Sequence, residues 1–481
     1  MQVRLVSMGV LPTRCLILFV VALIATQITP AFGDARHNSR SLLSGGETTV
    51  FIEGPDSFSQ PLANLPIMQR LDFSVGNSFF RNPWSSSPSS VRGRDGLGPF
   101  FVTNSCQACH VKDGRSSRAD MLENNVSTMV VKLGKKETNR DVKNGHVHVN
   151  AGQFDSVYGS QIQTRAVIGV KPEANIHVQW QTVKSDDYVE AQQRLEYPVV
   201  SLQDLNYGPL DHDTLYSMRA APTLIGLGLI ELVPEQHILQ RADPSDLDGD
   251  GISGRPNWVH DAESGERRIG RFGWKASQSS LRGQNALAFR NDLGLTSRLV
   301  SAPNCTESQL ECLSRHKSKE PEVSDKVLGF VTFYTQSLAV PSRRIIDKRR
   351  VTRGQKLFKR IGCEQCHVAS FTTLPSTNHP ERSKQIIYPY TDLLLHDMGD
   401  GLADGTTEAL AQSTEWRTAP LWGLGYTLEV NPRAGFLHDG RAKSITEAIL
   451  WHGGEAQAAR DAFINLADPK KNNVVQFLNS L

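Results

Sequence analysis

The sequence predicts a mainly α protein made of two tandem helical units, the first enlarged by a small β insertion. Three observations predict this. A Cys-x-x-Cys-His motif occurs twice, at Cys106/Cys109/His110 and at Cys363/Cys366/His367. Two segments then recur in order: Arg219-Ala-Ala-Pro222 leads into Gly226-Leu-Gly228, and Arg417-Thr-Ala-Pro420 leads into Gly423-Leu-Gly425. The intervals before these segments are unequal, with about 109 residues between His110 and Arg219 against about 50 between His367 and Arg417.

The elements follow along the chain. Its 481 residues suggest two to four units, at roughly 100–200 residues each. Arg4 and Arg14 flank the start of a short apolar run from Cys15 to Ile28, and Ala31-Phe32-Gly33 offers small residues before Asp34. Residues 1–33 therefore read as a secretory signal peptide, too short for a comfortable membrane span. No later stretch is apolar enough to span a bilayer. Residues 34–70 are an N-terminal extension, 71–340 the enlarged first unit and 341–481 the second, with the boundary near Ala339-Val-Pro-Ser342. Val351–Gly362 has the pattern of an amphipathic helix delivering the chain to Cys363. The approach to Cys106, from Gly96, is loop-like. Val327–Leu338 and Val474–Leu481 suit closing helices. Gln161–Val170 and Ala174–Val183 alternate β-branched and polar residues, as strands of the insertion would.

Charge and cysteines narrow the class. The formal charge of +2 falls to about zero without Arg4 and Arg14, which argues against nucleic acid or an anionic membrane as a partner. Of seven cysteines, Cys15 leaves with the signal peptide and four belong to the motifs. Cys305 and Cys312 remain, close together in a polar loop, and in an oxidising compartment they most simply form a disulfide. The expected location is periplasmic or secreted.

Cys-x-x-Cys-His is the attachment signature of c-type haem. Its two thiols reach the two vinyl groups of one porphyrin, and the adjacent histidine is placed under the ring to ligate the iron. A zinc site would need four ligands, and neither motif has a second Cys/His pair nearby. The expectation is two covalently bound haem c groups on two cytochrome c-like domains.

Several longer runs carry a family resemblance: Asp95-Gly-Leu-Gly-Pro, Ser105–Gly114, Asp246-Leu-Asp-Gly-Asp-Gly-Ile-Ser-Gly-Arg-Pro256, Arg271-Phe-Gly-Trp-Lys275, Thr391–Gly399 and Phe436-Leu-His-Asp-Gly-Arg441. From about residue 70 onward the chain resembles the bacterial di-haem oxidoreductases. These are also called thiol oxidoreductases and are related to di-haem cytochrome c peroxidases. The resemblance implies peroxidase-like chemistry. Nothing in Cys305 or Cys312 points to thiol oxidation.

Function then turns on the sixth position of each iron. For the His367 haem the candidate is Met398, 31 residues on in a loop of Gly and Asp. His/Met ligation would raise the potential as electron entry requires, and ordinary packing is the alternative. His396 and His438 are rivals, read rather as propionate or backbone partners. The His110 haem has no comparable partner: Met218 and His212 are poorly placed, and His146 and His148 lie in a polar segment. It is expected to be open. Peroxide cleavage there needs an acid/base group and a cationic donor. Arg219 and Glu231 are the candidates, with a structural ion pair as the alternative. Trp274 is a conceivable relay between haems or a core residue. Asp246, Asp248 and Asp250, followed by Gly251, match the first half of a calcium loop, though position twelve is Asn257 rather than Glu. In related di-haem peroxidases a calcium ion couples the haem domains; a plain Asp-Gly turn is the alternative here. The leading expectation is an exported di-haem peroxidase-like enzyme. Electrons would enter at the C-terminal haem from a small cytochrome or cupredoxin, and a peroxide or other small oxidant would react at the N-terminal haem. A non-catalytic electron carrier is the runner-up. A di-haem enzyme oxidising an organic or protein substrate, as the related methylamine dehydrogenase maturation enzyme does, is the third reading.

Overall fold

In the computed structural model of the chain, the described residues are 42–119, 128–135, 154–183, 194–315 and 320–481, with the backbone of 142–143 and 146–147. The signal-peptide reading, Cys15, the His146 side chain and His148 lie outside them. The chain divides into two units, Met1–Leu42 and Leu43–Leu481. Leu42 apart, every described residue belongs to the second.

Five helices carry the haem motifs' surroundings: α1 (Gln69–Arg81), α2 (Leu281–Leu293), α3 (Asp325–Gln336), α4 (Lys348–Arg360) and α5 (Asp468–Ser480). Three begin on side-chain caps. Ser280 accepts from the Gly283 amide, Ser324 from Val327, and Asp347 from Arg349 and Arg350, satisfying amides that a helix start leaves unpaired. α1 buries Phe73, Gly76 and Phe80, spaced three and four apart so that they share one face. It crosses α3 where a Cβ on Gly76 would overlap the Phe330 carbonyl. α4 crosses α5 the same way, with Gly354 against the Asn473 carbonyl. The expected closing helices are thus α3 and α5, each packed on the helix that carries a glycine. Two apolar cores result. One gathers Phe73, Phe80, Trp84, Phe289 and Tyr334, and the other Phe358, Trp416, Trp451, Phe463 and Phe477.

The expectation of a mainly α protein is corrected. The chain is 31% helical and 18% strand, and among the described residues its named strands pair only in two-stranded ribbons. The main ones are β1 (Met129–Lys135), β2 (Asn175–Thr182), β3 (Glu196–Gln203), β4 (Thr214–Ala220), β5 (Leu395–Asp397) and β6 (Glu415–Arg417). β1 pairs with β4, β2 with β3 and β5 with β6, all antiparallel. Met129, Val131 and Leu133 of β1 are buried, as are all three residues of β6, but runs this short do not by periodicity alone separate a strand from a buried helix segment. β4 and β6 also run into the repeated Arg219 and Arg417 segments, which read as motifs rather than strands. Ala174–Val183 does supply β2. Gln161–Val170 contributes only the short strand Arg165–Ala166, because Gln161 and Gln163 turn their amides to the Asn291 carbonyl at the end of α2.

The Cys305–Cys312 disulfide is formed as expected. Among the described residues no helix is long and apolar enough to cross a membrane.

Candidate functional site

Each Cys-x-x-Cys-His motif folds into a single 3-10 turn, Cys106–Ala108 and Cys363–Gln365. The amides of His110 and His367 close on the Cys106 and Cys363 carbonyls, both at 3.0 Å. None of the four cysteines is in a disulfide. His110 Nδ1 donates to the Pro222 carbonyl at 2.8 Å, and His367 Nδ1 to the Tyr390 carbonyl at 2.9 Å. A carbonyl can only accept, so Nδ1 holds the proton and Nε2 is left bare, the tautomer a metal ligand needs. Burial pushes both imidazoles down to about 4, so both are neutral. Phe80 tilts against His110 at 6.1 Å and Phe358 against His367 at 6.2 Å. Each phenylalanine lies four residues after its helix-crossing glycine. The two halves therefore repeat the same ligand-bearing geometry, built on a Gly-x-x-x-Phe pattern that the sequence shows at Gly76 and Gly354.

Each histidine opens on a cavity, of about 260 Å³ at His110 and about 250 Å³ at His367. Arg115, Trp274, Arg417, Ala419 and Pro420 line both and so form their common wall. Trp274 is fixed there: its Nε1 donates to the Ala220 carbonyl at 2.7 Å, and the Arg115 guanidinium lies 5.1 Å from its ring centre. Burial pushes Arg115 and Arg417 down to about 10. Their donors go to main-chain carbonyls, Gly435 for Arg115 and Gly273 and Thr418 for Arg417. Neither has an ion-pairing carboxylate among the described residues. Buried guanidiniums with no carboxylate in ion-pair contact, though Asp439 and Asp392 act on them from farther off, free paired thiols and a neutral imidazole with bare Nε2 fit haem c, whose propionates would meet the arginines.

Four further side chains with iron-ligating atoms line the His367 cavity: Met398, His396, His438 and His452. His396 is spent. Its Nε2 meets Asp392 at 2.8 Å and its Nδ1 meets Glu455 at 2.7 Å. Burial would favour the neutral ring, but these carboxylates override it and push His396 up to about 12, making it an imidazolium. His438 lies flat on Trp416, ring centres 3.8 Å apart, and burial pushes it down to about 3. Met398 follows β5, its amide bonded to Thr414. His452, which sequence reasoning missed, donates Nδ1 to the Ala448 carbonyl at 2.7 Å. Its Nε2 is bare, as in both motif histidines. The only sequence signal for it is a histidine before Gly453-Gly454 at a helix end.

The His110 cavity is lined differently. Among the described residues, its lining includes no second histidine and no methionine. Met218 is buried beside Met129 and Ala220, and His212 is exposed; neither lines the cavity. Helical residues Phe80, Leu293 and Val331 stand on one side. Thr128, Val130 and Lys132 alternate along β1 and the residue before it, and Thr128 and Lys132 bring polar groups in. Arg219, opposite Val130 in the β1–β4 ribbon, joins them. The β insertion thus makes a polar wall.

Arg219 and Glu231 are not brought together. Glu231 accepts from the Leu281 amide at 2.8 Å and from Gln336 Nε2 at 2.6 Å, so it secures the start of α2. Arg219 pairs instead with Asp404 and, at 3.1 Å, with Glu408. Against its burial, Arg219, Lys132 and Lys275 hold Glu408 below the usual carboxylate range. Glu408 lines the His110 cavity although it belongs to the second half of the chain. Asn257, the expected twelfth position of a calcium loop, anchors that segment by bonding the Glu408 carbonyl and the Leu410 amide.

In the acidic loop, carboxylates of Asp243, Asp246 and Asp248 converge. Asp250 turns to Gln365 inside the second motif, at 2.9 Å.

The sequence profile of the family described as "Di-haem oxidoreductase, putative peroxidase" matches residues 39–142 and 188–481. No curated protein matches the chain. Solved structures are similar, two among them as follows. One is the diheme peroxidase BthA from Burkholderia thailandensis, 14% identical over 92% of both chains with a TM-score of 0.35. The other is hydrazine synthase from Kuenenia stuttgartiensis, 16% identical over 37% of this chain with a TM-score of 0.24, of which the chain spans 63%. At these scores neither likeness bears on function.

Proposed function

The chain belongs to the di-haem oxidoreductase family, and from that premise we propose that it is an exported peroxidase-like enzyme that holds both haems covalently. Electrons enter at the His367 cavity from a small redox protein, and the oxidant reacts at the His110 cavity. The observation that carries this reading is the contrast in lining: Met398, His396, His438 and His452 line one cavity beside His367, whereas among the described residues His110 is the only histidine or methionine lining the other.

Each haem, when bound, supplies one-electron chemistry at its iron. Cys106/Cys109 and Cys363/Cys366 would hold the two groups, with His110 and His367 as their axial ligands. At His367, His452 or Met398 would supply a further ligand to the iron. The bare Nε2 of His452, fixed by Ala448, favours His452. The His110 cavity, with no such side chain in its lining among the described residues, would admit a peroxide. Lys132 and Arg219 offer positive charge there, and Glu408 takes the acid–base role first sought at Glu231. Trp274, held in the common wall, is the aromatic bridge between the cavities. The Cys305–Cys312 disulfide supports export, since such bonds persist in oxidising compartments. We extend the proposal to a calcium ion on the acidic loop. Chelation should then lower thermal stability and disturb the His367 haem, to which Asp250 is tied through Gln365; no change in either would remove the ion from the scheme.

The test is a spectrum of the half-reduced holoprotein, followed by hydrogen peroxide with and without a reduced donor protein. Turnover with a five-coordinate signal at the His110 haem is expected. Two inert six-coordinate haems in every redox state would make the chain a carrier.

A further inference from the structure

The helix that leads into the second motif carries an unusual charge. α4 reads Lys-Arg-Arg-Val-Thr-Arg-Gly-Gln-Lys-Leu-Phe-Lys-Arg, with seven basic residues, no acidic one, and every basic residue exposed. Arg349, Arg353, Lys356 and Arg360 fall at i, i+4, i+7 and i+11, which places them in one stripe about 16 Å long at 1.5 Å per residue. The stripe lies opposite Phe358, whose ring packs beside His367. Two flanking charges are partly met, Arg350 by Asp347 at 3.4 Å and Lys359 by Glu364 at 3.6 Å. The stripe residues have no ion pair among the described residues.

Like charges at i and i+4 weaken a helix, so folding gives no reason for this stripe. Nor is it a reflection of overall charge, since the whole chain carries only +2. The helix ends three residues before Cys363, and Cys363 and Cys366 are themselves only partly covered. The positive stripe therefore ends at the partly covered turn that carries the second motif's cysteines.

We propose that α4 is the docking face for the electron donor, and that the donor is a small redox protein with an acidic patch around its own redox centre. This rests on the reading of the His367 haem as the point of electron entry. In each encounter the donor is oxidised by one electron and the iron at His367 is reduced by one. A charged face of this kind acts mainly on the association rate, drawing in an acidic partner and turning away a basic one.

The test uses the full holoprotein in stopped-flow reduction by reduced plastocyanin, an acidic cupredoxin, and by reduced mitochondrial cytochrome c, which is basic. The second-order rate with plastocyanin should fall steeply as salt rises. Arg353→Glu with Lys356→Glu should cut it about tenfold at low salt and flatten the salt dependence, while ascorbate, a small reductant, should reduce variant and wild type alike. A rate with plastocyanin indifferent to salt and to the double substitution, or cytochrome c gaining no advantage from it, would overturn the proposal. So would sedimentation of wild type, but not the variant, with phosphatidylserine vesicles when donor rates are equal, since the face would then be a membrane contact. If the His110 haem is the first reduced by every reagent, the entry reading itself has failed, a result distinct from loss of the charge effect.

Discussion

The cavities at His110 and His367 share a wall and a ligand geometry, yet they differ in what faces the histidine. One is surrounded by Met398, His396, His438 and His452, the other by Lys132, Arg219 and Glu408. The difference teaches that a repeated haem-holding frame leaves function to what is inserted around it. The α1–α3 and α4–α5 pairs set the proximal side alike, while the β1–β4 ribbon and the Glu408 segment give the first cavity its polar wall.

The comparison can be broken most sharply at the motif histidines. His110→Gly should reduce peroxide turnover to the uncatalysed level while the His367 haem keeps its spectrum; His367→Gly should leave peroxide binding intact and stop electron supply. Parallel loss of both signals in both variants would show that the sites are not separable. Next in size, Glu408→Gln should slow peroxide turnover about 100-fold, within the range for general acid–base groups. Glu231→Gln should leave the rate of a folded sample unchanged. A rate loss at Glu231 and none at Glu408 would return the role to the original pair. His452→Ala should change the absorption and EPR spectrum of the His367 haem and leave the His110 haem alone. If Met398→Ala does so instead, sulfur is the ligand. The smallest effect concerns the frame: Gly76→Ala and Gly354→Ala should each destabilise by about 1–3 kcal/mol through overpacking, readable in denaturant melts. A large difference between them would mean that the two helix crossings are less alike than their geometry indicates.

The paired motifs were legible in the sequence because the Cys-x-x-Cys-His signature fixes residue types at fixed spacing: Cys106, Cys109, His110 and their counterparts need no tertiary information. The closing helices and the disulfide were legible for the same local reason. Glu408 was not, because it reaches the first cavity from the second half of the chain, and only the fold makes it a neighbour of Arg219. Arg219 and Glu231 are close in sequence, but β4 ends at Ala220 and the chain turns, so Arg219 lines the His110 cavity while Glu231 holds the start of α2. Met398 drew attention as a sulfur in a loop, whereas His452 needed its bond to Ala448 to be seen as preorganised. Apart from β2, the ribbons escaped notice because their strands are short runs that periodicity alone does not assign to strand rather than helix, and overall charge concealed the basic stripe on α4.

The bonds from His110 to the Pro222 carbonyl and from His367 to the Tyr390 carbonyl have an evolutionary consequence. Where an axial histidine leans on an aspartate, one codon change can remove its acceptor and retune the metal. Here both acceptors are main-chain oxygens, present whatever residue occupies the position. The proximal side is therefore buffered against single substitutions, and divergence among relatives of this chain should accumulate on the opposite faces.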